Sequence, residues 1–180
     1  MLTCIGKRSL VLALFLLTVL VCHIQSALAQ NMQTEQSMRA AMVFNFLKFT
    51  GFPPESIASA PQIRLCVAVG DLRQAEALAE LSGRKVSGRE LIVIRQAGRA
   101  DVCHVLYVDL RQRWNAAIEQ GVPSRTLTIS AYPGFAREGG MIEIALQEDG
   151  ARFDINLAEG RRAGFHFSPQ LLRLARHVYE

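Results

Sequence analysis

Apolar residues recur along the chain with two different periods, and each period predicts a different kind of element. Between Thr34 and Thr50 they return every three to four residues, the spacing of one helix face, and the Pro53–Pro54 pair ends that helix. Ile63 to Val69 is a short continuous apolar run, which is typical of a buried strand. A helical segment from Leu72 to Leu81 follows it. This part of the chain therefore predicts a helix and then a βα unit.

The middle of the chain continues this alternation of strands and helices. Short runs rich in β-branched residues predict strands, and a longer segment closed by glycine and proline predicts a helix. The predicted strands are Leu91–Arg95, Cys103–Tyr107 and Thr126–Ser130, and the predicted helix is Leu110–Gln120.

The pattern changes toward the C-terminus. Met141–Leu146 and Arg152–Leu157 alternate apolar and polar residues on either side of a turn signal, which predicts an antiparallel hairpin. Ser168 and Pro169 then supply a cap and a first-turn proline for a helix that we expect to continue to Val178. The fold class predicted is α/β: a single domain with a mixed, mostly parallel sheet, helices on its faces and an antiparallel C-terminal hairpin.

The first 29 residues form a separate segment. Leu10–Val21 is a nearly unbroken apolar run, with Lys7 and Arg8 before it and an Ala-Leu-Ala sequence ending at Ala29 after it. This is the order of a secretory signal peptide, so we expect cleavage after Ala29 and a mature domain of residues 30–180. An uncleaved anchor is the alternative, but the run is shorter than the ~20 residues that span a bilayer. A lipid on Cys22 is disfavoured because lipoprotein signals have a small residue where Val21 stands.

Removing this segment takes away two basic residues and no acidic one, so the net charge falls from +4 to +2. The basic character of the whole chain is therefore mostly a property of its leader. No basic stripe remains, which argues against nucleic acid as a ligand. The apolar content of the remainder suits one ordinary hydrophobic core.

Two cysteines, Cys66 and Cys103, remain in the mature chain, in a compartment that tolerates disulfides. A disulfide between them is the favoured interpretation, with buried free thiols as the alternative. The neighbouring His104 suggests a nucleophile or a metal site. Adjacent strand residues point to opposite faces, however, and two thiolates are too few for a structural zinc site.

No phosphate-binding loop, zinc-protease, nucleophile-elbow or dinucleotide motif is present in the sequence. The candidate binding residues are a cluster of two arginines, two phenylalanines and one histidine between the hairpin and the last helix: Arg161, Arg162, Phe165, His166 and Phe167. Arginine and aromatic residues are the types that anchor protein interfaces. The alternative is that the aromatics cap the core.

The order of these segments resembles the YfiR family of small periplasmic regulatory proteins. The similarity runs from about residue 38 to residue 176. The stretches that carry it are Ala40–Phe49 with the following prolines, Cys66–Asp71, Gly88–Arg89, Cys103–Val108, Leu127–Ser130, Pro133–Ala136, Gly139–Ile142, Phe153–Asn156 and Leu171–Ala175. Two departures are Phe52, where family members often have Trp, and the absence of a second cysteine pair near the C-terminus.

The resemblance implies a non-catalytic protein without cofactor or metal. Such a protein would bind the periplasmic domain of an inner-membrane diguanylate cyclase and repress it, lowering cyclic di-GMP and biofilm formation. An outer-membrane, peptidoglycan-associated lipoprotein would sequester it in turn, and the protein would form a homodimer. The alternative function is a periplasmic small-molecule-binding sensor module, which would need a concave pocket with a few convergent polar groups.

Overall fold

A computed structural model of the chain describes residues 35–58, 60–95, 103–147 and 150–180. Residues 36–180 form one compact unit. The expected signal peptide and its cleavage site at Ala29 lie outside the described residues. Within the described ranges, no helix is both long enough and apolar enough to cross a bilayer.

Strands and helices alternate through the described residues, as the hydrophobic pattern predicts. The strands are β1 (Thr50–Gly51), β2 (Gln62–Ala68), β3 (Lys85–Val86), β4 (Arg89–Arg95), β5 (Val105–Val108), β6 (Leu127–Ser130), β7 (Ile142–Gln147), β8 (Gly150–Asn156), β9 (His166–Phe167) and β10 (His177–Tyr179). The helices are α1 (residues 35–48), α2 (Pro54–Ile57), α3 (Leu72–Ala79), α4 (Arg111–Glu119), α5 (Leu157–Arg162) and α6 (Pro169–Leu174), with a 3-10 helix at Phe135–Glu138.

Eight of these strands form one sheet in the order β10-β8-β7-β6-β5-β2-β4-β3. Its pairings are parallel except for β3 with β4 and β7 with β8. The sheet is thus mixed and mostly parallel, and the antiparallel β7–β8 pair is the C-terminal hairpin. The fold class predicted from the sequence is confirmed.

Helices cover both faces of the sheet, because alternate residues of its central strands point to opposite sides. Leu65 of β2 and Tyr107 of β5 belong to the larger core, which also contains the inner face of α1. Cys66 and Leu106 point the other way, into a smaller core completed by Trp114 of α4. The continuous apolar runs of these strands reflect burial on both faces.

The C-terminal helix is shorter than the sequence predicts. It begins as expected, with the Ser168 hydroxyl accepting a hydrogen bond from the Leu171 backbone N–H at 3.1 Å, but it ends at Leu174. The prediction that it continues to Val178 is therefore wrong. Arg176 instead donates two side-chain hydrogen bonds to buried Asp154, at 2.9 and 2.7 Å, and the following residues form β10 beside β8.

Two very short strands tie the start of the described chain to its end. In this antiparallel pair, Thr50 lies opposite Phe167. The Ser168 backbone N–H continues the ladder by donating to the Phe49 carbonyl at 2.9 Å. On α1, the ring of Phe46 packs edge-on against Phe153 of the hairpin, with ring centres 4.9 Å apart. The candidate binding residues follow the hairpin, and two of them, His166 and Phe167, form the strand that pairs with β1.

Candidate partner-binding surface

Cys66 and Cys103 form a disulfide, with α-carbons 5.7 Å apart. Cys66 lies within β2, and Cys103 lies just before the neighbouring strand β5. Both residues are buried in the smaller core. The predicted bridge is confirmed, and these sulfur atoms are not available as nucleophile or metal ligand.

His104, the neighbour of Cys103, has a structural role. Its Nδ1 accepts a hydrogen bond from the Arg64 backbone N–H at 3.0 Å, and its own backbone N–H donates to the Arg64 carbonyl at 3.0 Å. Burial, together with the positive charge of Arg64, lowers the pKa of His104 below its usual value. A neutral imidazole therefore joins β2 to the start of β5.

The carboxyl ends of β2 and β5 form the point where many α/β sheets bind ligands, because the chain leaves these two neighbouring strands in opposite directions. Here two aspartates occupy that point. Asp71 accepts from the Arg73 backbone N–H at 2.9 Å, capping α3, and from the Gln36 side chain at 3.0 Å. Asp109 accepts from the Gly70 backbone N–H at 2.7 Å. Both carboxylates therefore stabilise the fold. In the described part of the chain no group of three metal-ligating side chains comes together.

The five candidate partner-binding residues divide into two sets. Arg161, Arg162 and His166 are exposed, whereas Phe165 and Phe167 are buried at 1% and 7% exposure. The aromatic side chains thus belong to the core, while the three polar side chains between and before them face solvent. For Phe165 and Phe167 the structure agrees with the alternative interpretation, that the aromatics cap the core, whereas a partner-binding role for the three polar residues stays a prediction.

Local sequence explains this division. The Asn156 side chain caps α5 by accepting from the Glu159 backbone N–H at 3.0 Å. A Cβ at Gly160 would overlap the ring of Phe167, so glycine permits that ring to pack against the helix. After α5 the chain turns at Gly164, whose φ of +81° favours glycine. Strand β9 follows, and its two-residue period places His166 outward.

The exposed arginines differ in their surroundings. Arg162 forms an ion pair with Glu159 at 2.5 Å, and this hydrogen bond and charge raise the pKa of the guanidinium. The side chain of Arg161 has no hydrogen bond or ion pair with any described residue. The positive charge of Arg161 is therefore free to interact with another molecule.

Arg161, Arg162 and His166 line one cleft of about 460 Å³. Its other walls come from the segment at the start of α2, the loop before β6 and the end of α5, and they include Pro53, Pro54, Glu55, Ser124, Arg125, Ala163 and Gly164. Sequence reasoning missed Arg125 and Glu55. No local signal marks them, because only the tertiary fold brings these three segments together.

The loop between β6 and β7 is held in its conformation by its own buried contacts. Phe135 and Ala136 are buried. The buried carboxylate of Glu143 accepts from the backbone N–H groups of Gly134 and Ala136, both at 3.1 Å. The end of this loop borders a second cleft of about 330 Å³.

The fold and this surface define a class of protein: a disulfide-bonded, mixed α/β domain with a cationic cleft beside its C-terminal hairpin. Comparison with known families then gives a match to the DUF4154 family, described as YfiR/HmsC-like, over residues 36–176. The chain belongs to this family.

Comparisons with individual proteins add less. No curated protein matches the chain. Among solved structures, the chain is similar to a conserved domain protein from Vibrio cholerae O1 biovar El Tor str. N16961, with 16% identity and a TM-score of 0.47. The similarity covers 69% of this chain and 57% of that structure, so the chain spans little more than half of the neighbour's length.

Proposed function

We propose that this protein is a non-catalytic periplasmic regulator of cyclic di-GMP signalling. It binds the periplasmic domain of an inner-membrane diguanylate cyclase and holds the cyclase inactive, which lowers cyclic di-GMP and biofilm formation. Membership of the YfiR/HmsC-like family over residues 36–176 carries this proposal. Repression of this kind requires only that the regulator bind two states of the cyclase with different affinity.

Export follows from the proposed role. The signal peptide ends at Ala29, and the mature domain of residues 30–180 folds in the periplasm with its disulfide formed. In the complete system the mature protein is a homodimer, and an outer-membrane, peptidoglycan-associated lipoprotein sequesters it.

The cyclase contacts the surface formed by Arg161, Arg162 and His166. Their exposure on a rigid part of the fold supports this assignment, since binding residues commonly lie where a rigid scaffold presents them. Phe165 and Phe167 contribute indirectly: as core side chains they fix the backbone that displays the polar residues.

A deletion strain tests the proposal. Loss of the gene is expected to raise cellular cyclic di-GMP, and the wild-type gene on a plasmid is expected to restore it. The double variant Arg162→Glu with His166→Ala is expected to fold, with a melting temperature lowered only slightly by loss of the exposed Arg162–Glu159 ion pair, but to fail in repression. Arg173→Glu, an exposed charge reversal on α6 outside the cleft, is the matched control and should repress normally.

Unchanged cyclic di-GMP in the deletion strain, with mature protein detectable in the parent, would contradict the proposal. It would favour the second candidate, a small-molecule-binding sensor. One observation supports that candidate: the cleft volumes of about 460 and 330 Å³ fall within the range of small-ligand pockets. Saturable binding of a periplasmic metabolite to the purified mature protein would support this second function.

A further inference from the structure

The two clefts share three lining residues, Ser124, Arg162 and Ala163, so they adjoin each other, and we refer to the two together as the groove. We propose that this groove docks an extended segment of the regulated partner. In that segment an acidic side chain faces Arg125 and Arg161, and an apolar side chain a few residues away packs at the other end. This inference rests on the proposed function, since it describes the chemistry of the partner at the same surface.

The end of the groove formed by the larger cleft is suited to a carboxylate. Arg125 and Arg161 are exposed, and neither side chain makes a hydrogen bond or ion pair with a described residue. The charge of Arg162 is already compensated by Glu159. Glu55 supplies the one carboxylate among the described residues that line this cleft, so one positive charge remains in excess. Guanidinium groups form their strongest hydrogen bonds with carboxylates.

The opposite end, which the smaller cleft forms, is suited to an apolar side chain. Its floor includes Trp114 and Met141, each 5% exposed, and Ile118 on its rim is 51% exposed. The indole N–H of Trp114 donates to the Glu138 carbonyl at 3.3 Å, so this side chain offers its ring surface rather than a free donor. An exposed isoleucine above a buried tryptophan is an arrangement that an apolar anchor from a partner can cover.

Three polar side chains at this apolar end, those of Glu138, Thr126 and Thr128, already have hydrogen-bond or ion-pair partners within the protein. The carboxylate of Glu138 pairs with Arg111 and accepts from the Tyr132 hydroxyl at 3.2 Å. The Thr126 hydroxyl donates to the Cys103 carbonyl at 3.1 Å. The Thr128 hydroxyl accepts from a backbone N–H at 3.0 Å. An apolar side chain that enters here therefore does not compete with these three side chains for their hydrogen-bond partners. The groove thus binds one extended segment through two of its side chains, an acidic one at the cationic end and an apolar one at the other end.

Site-specific photo-crosslinking in the native cell tests where the partner lies. A photoreactive amino acid is placed in the full-length protein at Ile118, at Ser124, which is exposed and lines both clefts, or, as the control outside the groove, at Leu174, which is 65% exposed. The two groove positions are expected to capture one and the same segment of the cyclase periplasmic domain. That segment should contain Asp or Glu within about five residues of a large apolar residue, a reach set by ~3.3 Å per extended residue.

Three results would overturn the groove proposal: crosslinks from Leu174 with none from the groove, capture of a segment without an acidic residue, or capture of a second copy of this chain. Failure of the proposed function itself is distinguishable. In that case deletion of the gene leaves cyclic di-GMP unchanged, whereas failure of the groove proposal alone leaves the deletion effect intact.

Charge reversal tests the cationic end. With the purified cyclase periplasmic domain as probe, Arg125→Glu and Arg161→Glu are each expected to weaken binding about tenfold or more, and Arg125→Lys should retain most of the affinity. Arg173→Glu is the control with the same charge change and should bind as the wild type does. Equal affinities for Arg125→Glu and the control would remove the acidic contact from the proposal.

Discussion

Loss of the Cys66–Cys103 disulfide is expected to destabilise the domain strongly. The bridge joins residues separated by 37 positions, and the loop it closes contains β2 from Val67 onward, α3, β3 and β4. In the chain-entropy account, closing a loop of this length restricts the unfolded chain and stabilises the folded state by roughly 4 kcal/mol. This is a large fraction of the 5–15 kcal/mol that is typical of a whole domain.

Equilibrium urea denaturation of the mature protein measures this contribution. The oxidised wild type is compared with the reduced wild type, in which both sulfur atoms remain but the crosslink is gone. We expect a loss of ~4 kcal/mol in unfolding free energy and a fall in melting temperature on the order of 10 °C. The double variant Cys66→Ala with Cys103→Ala should lie close to the reduced wild type, with a small further loss from the missing sulfur packing.

The burial of the bridge gives the experiment a second readout. Because Cys66 is fully buried and Cys103 is 6% exposed, a reductant must wait for the domain to open. Reduction should therefore accelerate steeply as urea approaches the unfolding transition. Coincident denaturation curves for the oxidised and reduced wild type would refute the reasoning, because they would mean that the crosslink does not change the free energy difference between the folded and the unfolded protein.

Three further outcomes are expected. Asp154→Asn should cost about 1.5–3 kcal/mol, because the substitution weakens a charged hydrogen-bond pair with Arg176, and urea denaturation measures it. Burial raises the pKa of Asp154, but hydrogen bonds from Arg176 and His177 outweigh it and hold the pKa below its usual value. The stabilisation by the ionised carboxylate is therefore fully present above the pKa of the unfolded chain, about 4, and is lost as the pH falls through the lower pKa of the folded state. The Asn variant should lack this acid-dependent loss. Gly140→Ala should lower the melting temperature, since its Cβ would overlap the ring of Phe135; an unchanged value would show that the ring moves aside without cost. The periplasmic protein should begin after Ala29, and an intact mass retaining Met1 would exclude cleavage.

The main strands and helices were predictable because their hydrophobic periods are strong. Burial on both faces makes β2 and β5 continuous apolar runs, and the alternating residues of β7 and β8 mark the hairpin. The elements that were missed are short. The sequence shows Phe165, His166 and Phe167 as two aromatics around a histidine, which is compatible with a two-residue period, but a strand this short gives no independent signal.

The end of the last helix was not predictable from local sequence. Residues 171–178 have the apolar spacing of a helix, and Arg176 and His177 are favourable near a helix C-terminus. In the fold both side chains instead reach Asp154, at 2.7 and 3.2 Å for the closest contacts. The buried carboxylate of Asp154, which lies in β8, thus outweighs the local preference of cationic side chains for a helix C-terminus, which is worth ~1 kcal/mol or less. The lining of the larger cleft was not predictable for the same reason: Arg125 lies beside Arg161 and His166 only because the tertiary fold brings their segments together.

The pairing of β1 with β9 sets a constraint on the order of folding. Helix α1 leads directly into β1, whose partner strand is followed only by α6 and β10. During export that begins at the N-terminus, α1 emerges early, and its apolar face has to wait for nearly the whole chain before the hairpin and β9 can cover it. Contacts between such distant parts of a chain form slowly, and the exposed face is prone to aggregate in the meantime. We therefore expect a truncation that removes the hairpin and β9 to leave the apolar face of α1 uncovered, and the shortened chain to aggregate more readily than the full chain.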